Sequence, residues 1–503
     1  MHGLPIGLVC VCGLVAGNMS KMQIATETER KYDVPDTFEL PSLLGTAGIS
    51  DVEGAETHDL DATYFDTDDL TLMRNRRTLR RRTGGNDAGW HLKTPGDGIS
   101  RTEHRLPLNG SPDDEVPGEL AAQVRAITRR RPLRPVAHLR THRVETPLRD
   151  GAGRILALLA QDRVTAKAGG RKQSWQEVEV ELVDGDAALL EEVGRRLVEA
   201  GAMAAAGPSK VARALGDRLR RAAKKSRAKN NNNFKSNPVI QYATQQRDDL
   251  SGYDPGVRQG EPEAVHRMRV ATRRLRSTLK TFRRSFPGSA PIADELKWLA
   301  GLLGQVRDGQ VLETKLLAGI EQAGAEFAPV AERIRAHLDE QVERGRAELA
   351  EALESERYLT LLDRIDLMVD EPDEPEDDPL KRARTSVGKA DDLLDAALAG
   401  GEDVELHEAR KAYKRARYAV EVFGPATGKP AKQLIKALTD LQDVLGAHQD
   451  SVVARELLHE LGPDSFHFGV LWGRQEQVGR ETYAQLPVVI EASRKTKLRT
   501  WLG

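Results

Sequence analysis

Glu27, Glu29 and Lys31 stand two apart in Glu27-Thr28-Glu29-Arg30-Lys31, the spacing that puts three side chains on one face of a β-strand. Such charges tolerate burial only beside a counter-charge or a metal. The same alternation returns in Arg80 and Arg82, and in Glu177, Glu179 and Glu181, where Val178, Val180 and Leu182 take the opposite face. Lys93, Arg101 with Glu103, and Arg140 with Arg143 add charge on neighbouring segments. One strand of this kind, alone, is a solvated outer face. The set together describes a barrel with a charged lumen and an apolar exterior. Arg and Lys grip phosphate oxygens. Carboxylates hold Mg²⁺, which takes oxygen ligands and often bridges phosphates. Mixed charges in one lumen suit an anion and a cation that enter together.

The elements that must position these residues are legible as short alternating runs. They cover Gln23–Lys31, Leu79–Arg82, His91–Lys93, Val136–Val144, Leu156–Val164 and Trp175–Leu182, punctuated by clusters such as Thr83-Gly84-Gly85-Asn86 and Ala168-Gly169-Gly170. Many short strands with turn signals give a barrel or sandwich. A helical pattern near Ala187–Ala200 would cover its apolar outside.

Lys224–Lys229 and Asn230–Asn233 then form a polar, low-complexity stretch, expected as a linker over 216–240. From there to the end the pattern is helical, interrupted by the acidic, proline-bearing run 370–378. This half contains a repeat. Val265-His266-Arg267-Met268-Arg269 returns as Leu406-His407-Glu408-Ala409-Arg410, and Leu303-Gly304-Gln305-Val306-Arg307-Asp308 returns as Leu445-Gly446-Ala447-His448-Gln449-Asp450 at nearly the same offset. Val265, Met268, Thr272, Leu275, Leu279, Phe282 and Phe286 form an apolar seam, and Leu406, Ala409, Tyr413, Ala416, Val420 and Phe423 its second copy. One residue later runs a basic stripe: His266, Arg269, Arg273, Arg276 and Lys280, then His407, Arg410, Lys414 and Arg417. A basic helix face is usually only solvated. Here like charges at helical spacing repel without a partner anion, and the stripe recurs in both copies.

The 503 residues suffice for more than one domain, and the net charge of −2 conceals this local segregation. Aromatics make up 4%, few for stacking on bases, so no specific nucleic-acid partner is expected. The cysteines, Cys10 and Cys12, lie in the opening stretch, which fits a reducing compartment. The apolar run Leu4–Val15 has signal-peptide length but no preceding Lys or Arg, and is too short to span a bilayer. Residues 1–21 are expected to be an extension, with Met19 or Met22 the working start, the protein cytoplasmic and no membrane bound.

Residues 22–215 resemble the CYTH, or triphosphate tunnel metalloenzyme, superfamily. The resemblance rests on Glu27–Lys31, Tyr64-Phe65-Asp66-Thr67, Leu79-Arg80-Arg81-Arg82, Trp90 to Lys93, Arg101-Thr102-Glu103, Glu177–Glu181 and Ser209-Lys210. It implies a tunnel of eight antiparallel strands acting on triphosphate compounds; members hydrolyse inorganic or thiamine triphosphate, act as RNA triphosphatases, or cyclise ATP. Carried onto this chain it makes Glu27, Glu29 and Lys31 catalytic. Arg80, Arg82, Lys93, Arg101, Arg140, Arg143 and Lys210 would bind phosphate. Glu27, Glu29, Asp162, Glu177 and Glu179 would hold Mg²⁺ or Mn²⁺. One departure is Leu158, which by parity shares a face with Asp162 and stands where a carboxylate is expected; its loss would weaken metal binding or turnover.

Residues 241–503, with repeats at about 255–369 and 379–503, resemble the CHAD family, on the His-Arg-x-Arg and Leu-Gly-x-x-Arg-Asp motifs quoted above. That resemblance implies two four-helix bundles around a basic surface binding polyphosphate through His266, Arg269, Arg273, Arg276, Lys280, Arg307, His407, Arg410, Lys414 and Arg417. Gln449 replaces Arg307 in the second copy, so the second bundle carries less charge there. The expectation is therefore a metal-dependent triphosphatase whose helical half recruits polyphosphate, located in the cytoplasm or at polyphosphate granules. The alternative is a non-catalytic polyphosphate-binding protein.

Overall fold

The computed structural model describes residues 22–96, 100–108, 115–205, 207–229, 237–321, 324–371 and 378–503. The expected extension at 1–21, the run Asn230–Asn233 and most of the acidic break lie outside the described residues. The chain divides into two compact units, one from residues 1–121 and 131–223, the other from 122–130 and 224–503.

The first unit is one antiparallel, curled sheet of ten strands: β1 (Gln23–Glu27), β2 (Glu29–Val34), β3 (Glu56–Asp66), β4 (Thr78–Thr83), β5 (Gly89–Pro95), β6 (Arg101–Leu106), β7 (Arg134–Arg149), β8 (Ile155–Ala168), β9 (Arg171–Leu182) and β10 (Met203–Ala204). Their order is β1-β6-β5-β4-β3-β7-β8-β9-β2-β10. The single strand expected over Gln23–Lys31 is two. β1 pairs with β6 and β2 with β9, and the chain changes partner at Thr28. Neighbours in sequence thus stand near opposite ends of the hydrogen-bonded order, which requires the sheet to curl.

Helix α1 (Thr71–Arg74) lies between β3 and β4 in the chain and α2 (Gly118–Thr128) between β6 and β7. The outward apolar face of β2, β8 and β9 (Tyr32, Ala157, Leu159, Val178 and Val180) is covered by Leu189, Leu190, Val193 and Leu197 of α3 (Ala187–Glu199). Asp186 starts that helix by accepting the Leu189 backbone N–H at 3.0 Å. Gly194 lets it approach closely: a Cβ there would lie 2.1 Å from the Tyr32 hydroxyl. Val211, Ala214 and Leu215 of α4 (Lys210–Lys229) pack with Ala62, Tyr64, Leu139, Val164 and Trp175. The helix kinks at Gly216, whose φ is 37°, and the linker expected from 216 is helical beyond that kink as far as Lys229. Its Ala, Arg, Leu and Lys residues are strong helix formers whatever their polarity.

The second unit is mostly helical. Its long helices are α5 (Pro238–Arg258), α6 (Pro262–Thr281), α7 (Ala290–Glu321), α8 (Ala328–Glu354), α9 (Glu356–Asp370), α10 (Pro379–Gly400), α11 (Asp403–Glu421) and, after the short α12 (Gly424–Thr427), α13 (Lys429–Leu461) and α14 (Phe466–Arg494). From α5 to α9 each helix packs on the next, as do α10, α11, α13 and α14 in turn, and α6 packs on α11. Residues 122–130, inside the interval read as the β domain, group with this unit; there Arg129 bonds Asp366 at 2.7 Å. Both apolar seams are buried in one core. The repeat-equivalent rings Phe282 and Phe423 meet edge-on with centroids 6.3 Å apart. α7 and α8 approach closely through Gly309, where a Cβ would lie 2.7 Å from Val342, and Gly345, where it would lie 3.1 Å from Gln305.

Candidate functional site

Alternation delivers one face of the curled sheet to a shared pocket. Glu27, Glu29 and Lys31 reach it from β1 and β2, Tyr64 from β3, Arg80 and Arg82 from β4, and Lys93 from β5. Arg101 and Arg105 reach it from β6, Arg143 from β7, Glu179 and Glu181 from β9, and Lys210 from the first residue of α4. The partner change at Thr28 preserves the parity of the Glu-x-Glu-x-Lys run.

The charges form two clusters. In one, Lys210 Nζ lies 2.9 Å from Asp162, 2.7 Å from Glu177 and 2.6 Å from Glu179. Arg143 donates to both oxygens of Asp162 at 2.8 and 2.7 Å and to Glu179 at 2.6 Å. Lys31 bonds Glu179 and stands 3.0 Å from Glu29. Burial alone would raise the Glu179 carboxyl, but Lys210, Lys31 and Arg143 outweigh burial and hold it well below the ordinary range. Oxygens of Asp162, Glu177 and Glu179 lie within 4.8 Å of one another and all three residues are buried. This is a hard-oxygen donor set of the kind a divalent cation takes, with the Lys210 ammonium already at its centre.

In the other cluster Glu103 is fully buried. It accepts from Arg105, lies 3.0 Å from His91, and has Lys93 at 3.7 Å and Arg80 at 3.9 Å. Glu27 bonds Lys93 and lies 3.1 Å from Arg105. Glu181, opposite Glu29 in the β2–β9 register, has no cation within ion-pair distance among the described residues. Burial, with Glu27, Glu29 and Glu179 nearby, pushes its carboxyl up to about 7.

The pocket thus gathers Glu27, Glu29, Lys31, Arg80, Arg82, Lys93, Arg101, Arg143, Glu179 and Lys210, with Asp162 and Glu177 held behind Lys210. Arg82 is tied to Asp87, and Arg101 donates to the Pro208 carbonyl at 2.8 Å. Arg140 is the exception. Three residues from Arg143, it takes the opposite face, is 75% exposed against 16% for Arg143, and pairs with Asp61 at 3.1 Å. Glu103 and Glu181, read from the sequence as lumen charges, were given no role there; Arg105 and Tyr64 were outside the sequence-based site, and Arg105 shares parity with Arg101, which could have found it. Leu158 stands opposite Glu181 in the β8–β9 register.

In the helical unit, the stripe residues of α6 and α11 converge. Arg269 lies along Gly304, where a Cβ would be 3.6 Å from its guanidinium, and donates to Asp308 at 2.7 Å. Arg410 lies along Gly446 in the same way, at 3.4 Å, but Asp450 is bonded by Lys315 instead. Arg273, Arg276, Lys280 and Lys414 have no ion-pair partner among the described residues. The Nε atoms of Arg269, Arg276, Arg307 and Arg410 are shielded from solvent without a hydrogen-bond acceptor among the described residues. Burial and Arg307 push His266 below its ordinary value, and His407 Nδ1 lies 2.8 Å from Gln449. Arg417 departs from the stripe: it bonds Glu421 and donates to Gln442 at 3.0 Å, inside the packing between α11 and α13.

A CYTH domain profile matches residues 25–215 and a CHAD domain profile residues 241–459. An uncharacterized protein of Mycobacterium tuberculosis is 37% identical over 92% of this chain and 95% of its own. Among solved structures, PptA from Streptomyces chartreusis is 17% identical and covers 50% of this chain and 98% of its own, with a TM-score of 0.44. The CHAD domain from the plant Ricinus communis is 27% identical and covers 53% and 90%, with a TM-score of 0.38. No helix among the described residues is long and apolar enough to cross a membrane. With its Glu-x-Glu-x-Lys pocket in the first unit and its paired basic helices in the second, the chain belongs to the family of proteins in which a CYTH domain is followed by a CHAD domain.

Proposed function

We propose that the pocket of the first unit hydrolyses inorganic triphosphate or a related triphosphate with Mg²⁺ or Mn²⁺, and that the cationic face of the second unit binds polyphosphate. One observation carries the catalytic part. Lys31, Arg80, Lys93, Arg105, Arg143 and Lys210 face Glu27, Glu29, Glu179 and Glu181 in a single lumen. On this reading β1 and β2 of the ten-stranded sheet count as one strand broken at Thr28 and the two-residue β10 is set aside, which leaves the eight strands of a tunnel. The CYTH membership supports a hydrolase or cyclase acting on triphosphate.

The cations hold phosphate oxygens and disperse charge as the anhydride breaks. Asp162, Glu177 and Glu179, with Glu27 and Glu29, are the residues to hold a divalent cation. Such an ion would neutralise and orient the phosphates. Glu181, a carboxylate without a cation of its own, is placed to orient the attacking water and accept its proton. Phosphate binding draws Lys210 away from its three carboxylates and frees their oxygens.

For the second unit the supporting observation is the set of arginines and lysines left without carboxylates on α6 and α11. A chain carrying about one charge per phosphate would supply the missing anions and release counter-ions, so affinity falls with salt. Grouping α5–α8 and α10, α11, α13 and α14 as two four-helix bundles puts this face where α6 meets α11. A cytoplasmic place at polyphosphate granules follows from the same reading.

The test is phosphate release from inorganic triphosphate by the full chain, with and without Mg²⁺ or Mn²⁺, beside the double variant Glu27→Ala, Glu29→Ala. Metal-dependent turnover lost in the variant supports the hydrolase. Absent turnover with salt-sensitive polyphosphate binding intact leaves a binding protein, a reading that Leu158 opposite Glu181 favours.

A further inference from the structure

At one position of the cationic face the two repeats carry different cations: Arg273 of α6 has Lys414 as its counterpart in α11. Lys414 is partly buried, and its electrostatic neighbours are Arg273 and Arg269 of α6 and Arg410 of its own helix. The acid facing it is Asp450 of α13, already bonded by Lys315 of α7; Asp308 of α7, beside Arg410, is taken by Arg269. The Tyr418 hydroxyl of α11 lies beside Arg269. Four cations thus share one place, with Asp308 paired to Arg269 within the group and Asp450 bonded by Lys315 from outside it. Three are guanidinium groups, which do not give up a proton in proteins. The lysine is the one member that can relieve the repulsion by losing its proton.

We propose that polyphosphate binding to this face is coupled to proton uptake by Lys414, so that the cluster is a pH-gated anion site. This rests on the polyphosphate reading given above. Burial, then Arg273, Arg410 and Arg269, pushes the Lys414 amine down to about 7, so it is largely neutral in the free protein in mildly alkaline solution. A bound polyanion reverses that electrostatic pressure and favours the ammonium. Uptake is therefore expected between pH 7 and the higher value of the bound state. It disappears below about pH 6, where both states are protonated. A single coupled proton makes affinity fall by up to about tenfold per pH unit across that window.

The experiment is calorimetric titration of the full-length protein with a defined-length inorganic polyphosphate at pH 6 and pH 8, each in two buffers of different ionisation heat. The variants Lys414→Arg and Lys414→Gln are titrated in parallel. Expected for the native chain is close to one proton more taken up at pH 8 than by the Lys414→Gln variant, and little more than that variant takes up at pH 6. Lys414→Arg should lose that proton and bind more tightly than the native chain at pH 8. Lys414→Gln should lose it and bind more weakly at pH 6. Binding with the same proton uptake in all three proteins overturns the coupling while leaving the polyphosphate site intact. Absence of binding at any pH or salt concentration overturns the site itself, and the coupling with it.

Discussion

Arg143 grips Asp162 with two parallel hydrogen bonds, 2.8 and 2.7 Å, and extends the same guanidinium to Glu179 at 2.6 Å. Arg140, on the same strand, points away and meets Asp61. Arg143→Ala should therefore lower triphosphate turnover about 10²–10³-fold, the usual consequence of removing one preorganised charge donor. Arg140→Ala should stay within about twofold. Phosphate-release assays on the two variants check this; equal losses would remove Arg143 from the site.

Lys210 touches three buried carboxylates, so Lys210→Met takes a cation from each, leaving Arg143 and Lys31 on Asp162 and Glu179 and no ion-pair partner for Glu177 among the described residues. Without metal the variant should lose about 3–5 kcal/mol, the scale for breaking a buried ion pair by deleting one partner. Mn²⁺ should then raise its melting temperature far more than that of the native chain, because the ion replaces the missing cation. Thermal unfolding with EDTA or Mn²⁺ measures both, and a variant that gains no more than the native protein would show that these carboxylates do not take the ion.

Glu181 is pushed from its ordinary value of 4.5 to about 7 by burial and by Glu27, Glu29 and Glu179. The folded chain therefore binds this proton more tightly than the unfolded one. The associated stability is complete below pH 4.5 and is lost as pH rises through 7. Glu181→Gln keeps the neutral form, so in EDTA it should be more stable than the native protein at pH 8, by about 1–2 kcal/mol after allowing for solvent screening, and equal to it near pH 4. Urea unfolding at the two pH values decides; a gain that does not depend on pH would point to packing.

Arg273 and Arg417 lie in the same sequence pattern but have different partners. Arg273→Ala should reduce the salt slope of polyphosphate binding by about one. Arg417→Ala should leave the slope unchanged and instead destabilise the helical unit by about 1–3 kcal/mol, since it strips a partner from Glu421 and Gln442. Binding isotherms at several salt concentrations, beside unfolding curves, separate the two roles.

Much of this arrangement was legible because a β-strand makes side-chain parity a geometric fact. Glu27, Glu29, Lys31, Arg80, Lys93 and Glu179 share a pocket on that ground alone. Parity also separates Arg140 from Arg143 and joins Arg105 to Arg101, two consequences of the same alternation that the sequence reading did not draw. The break at Thr28 was not legible, because alternation along a strand is blind to which neighbour the strand pairs with. The helical run to Lys229 was hidden by composition, since lysine and arginine suit an exposed helix as well as a linker. On the basic helices the 3.6-residue period located Arg417 correctly but not Glu421 as its partner, a contact within one turn that competes with any incoming anion.

The partner change at Thr28 also sets an order of events during synthesis. The segment bearing Glu27, Glu29 and Lys31 is made first. Its pairing residues Arg101 and Glu181 come much later, and the second only when β9 is complete. Until then the growing sheet has two raw edges, with backbone groups open to pairing with another chain. Loss of residues 23–34 would make that transient condition permanent. The expected phenotype of such a truncation is self-association, before any question of its activity arises.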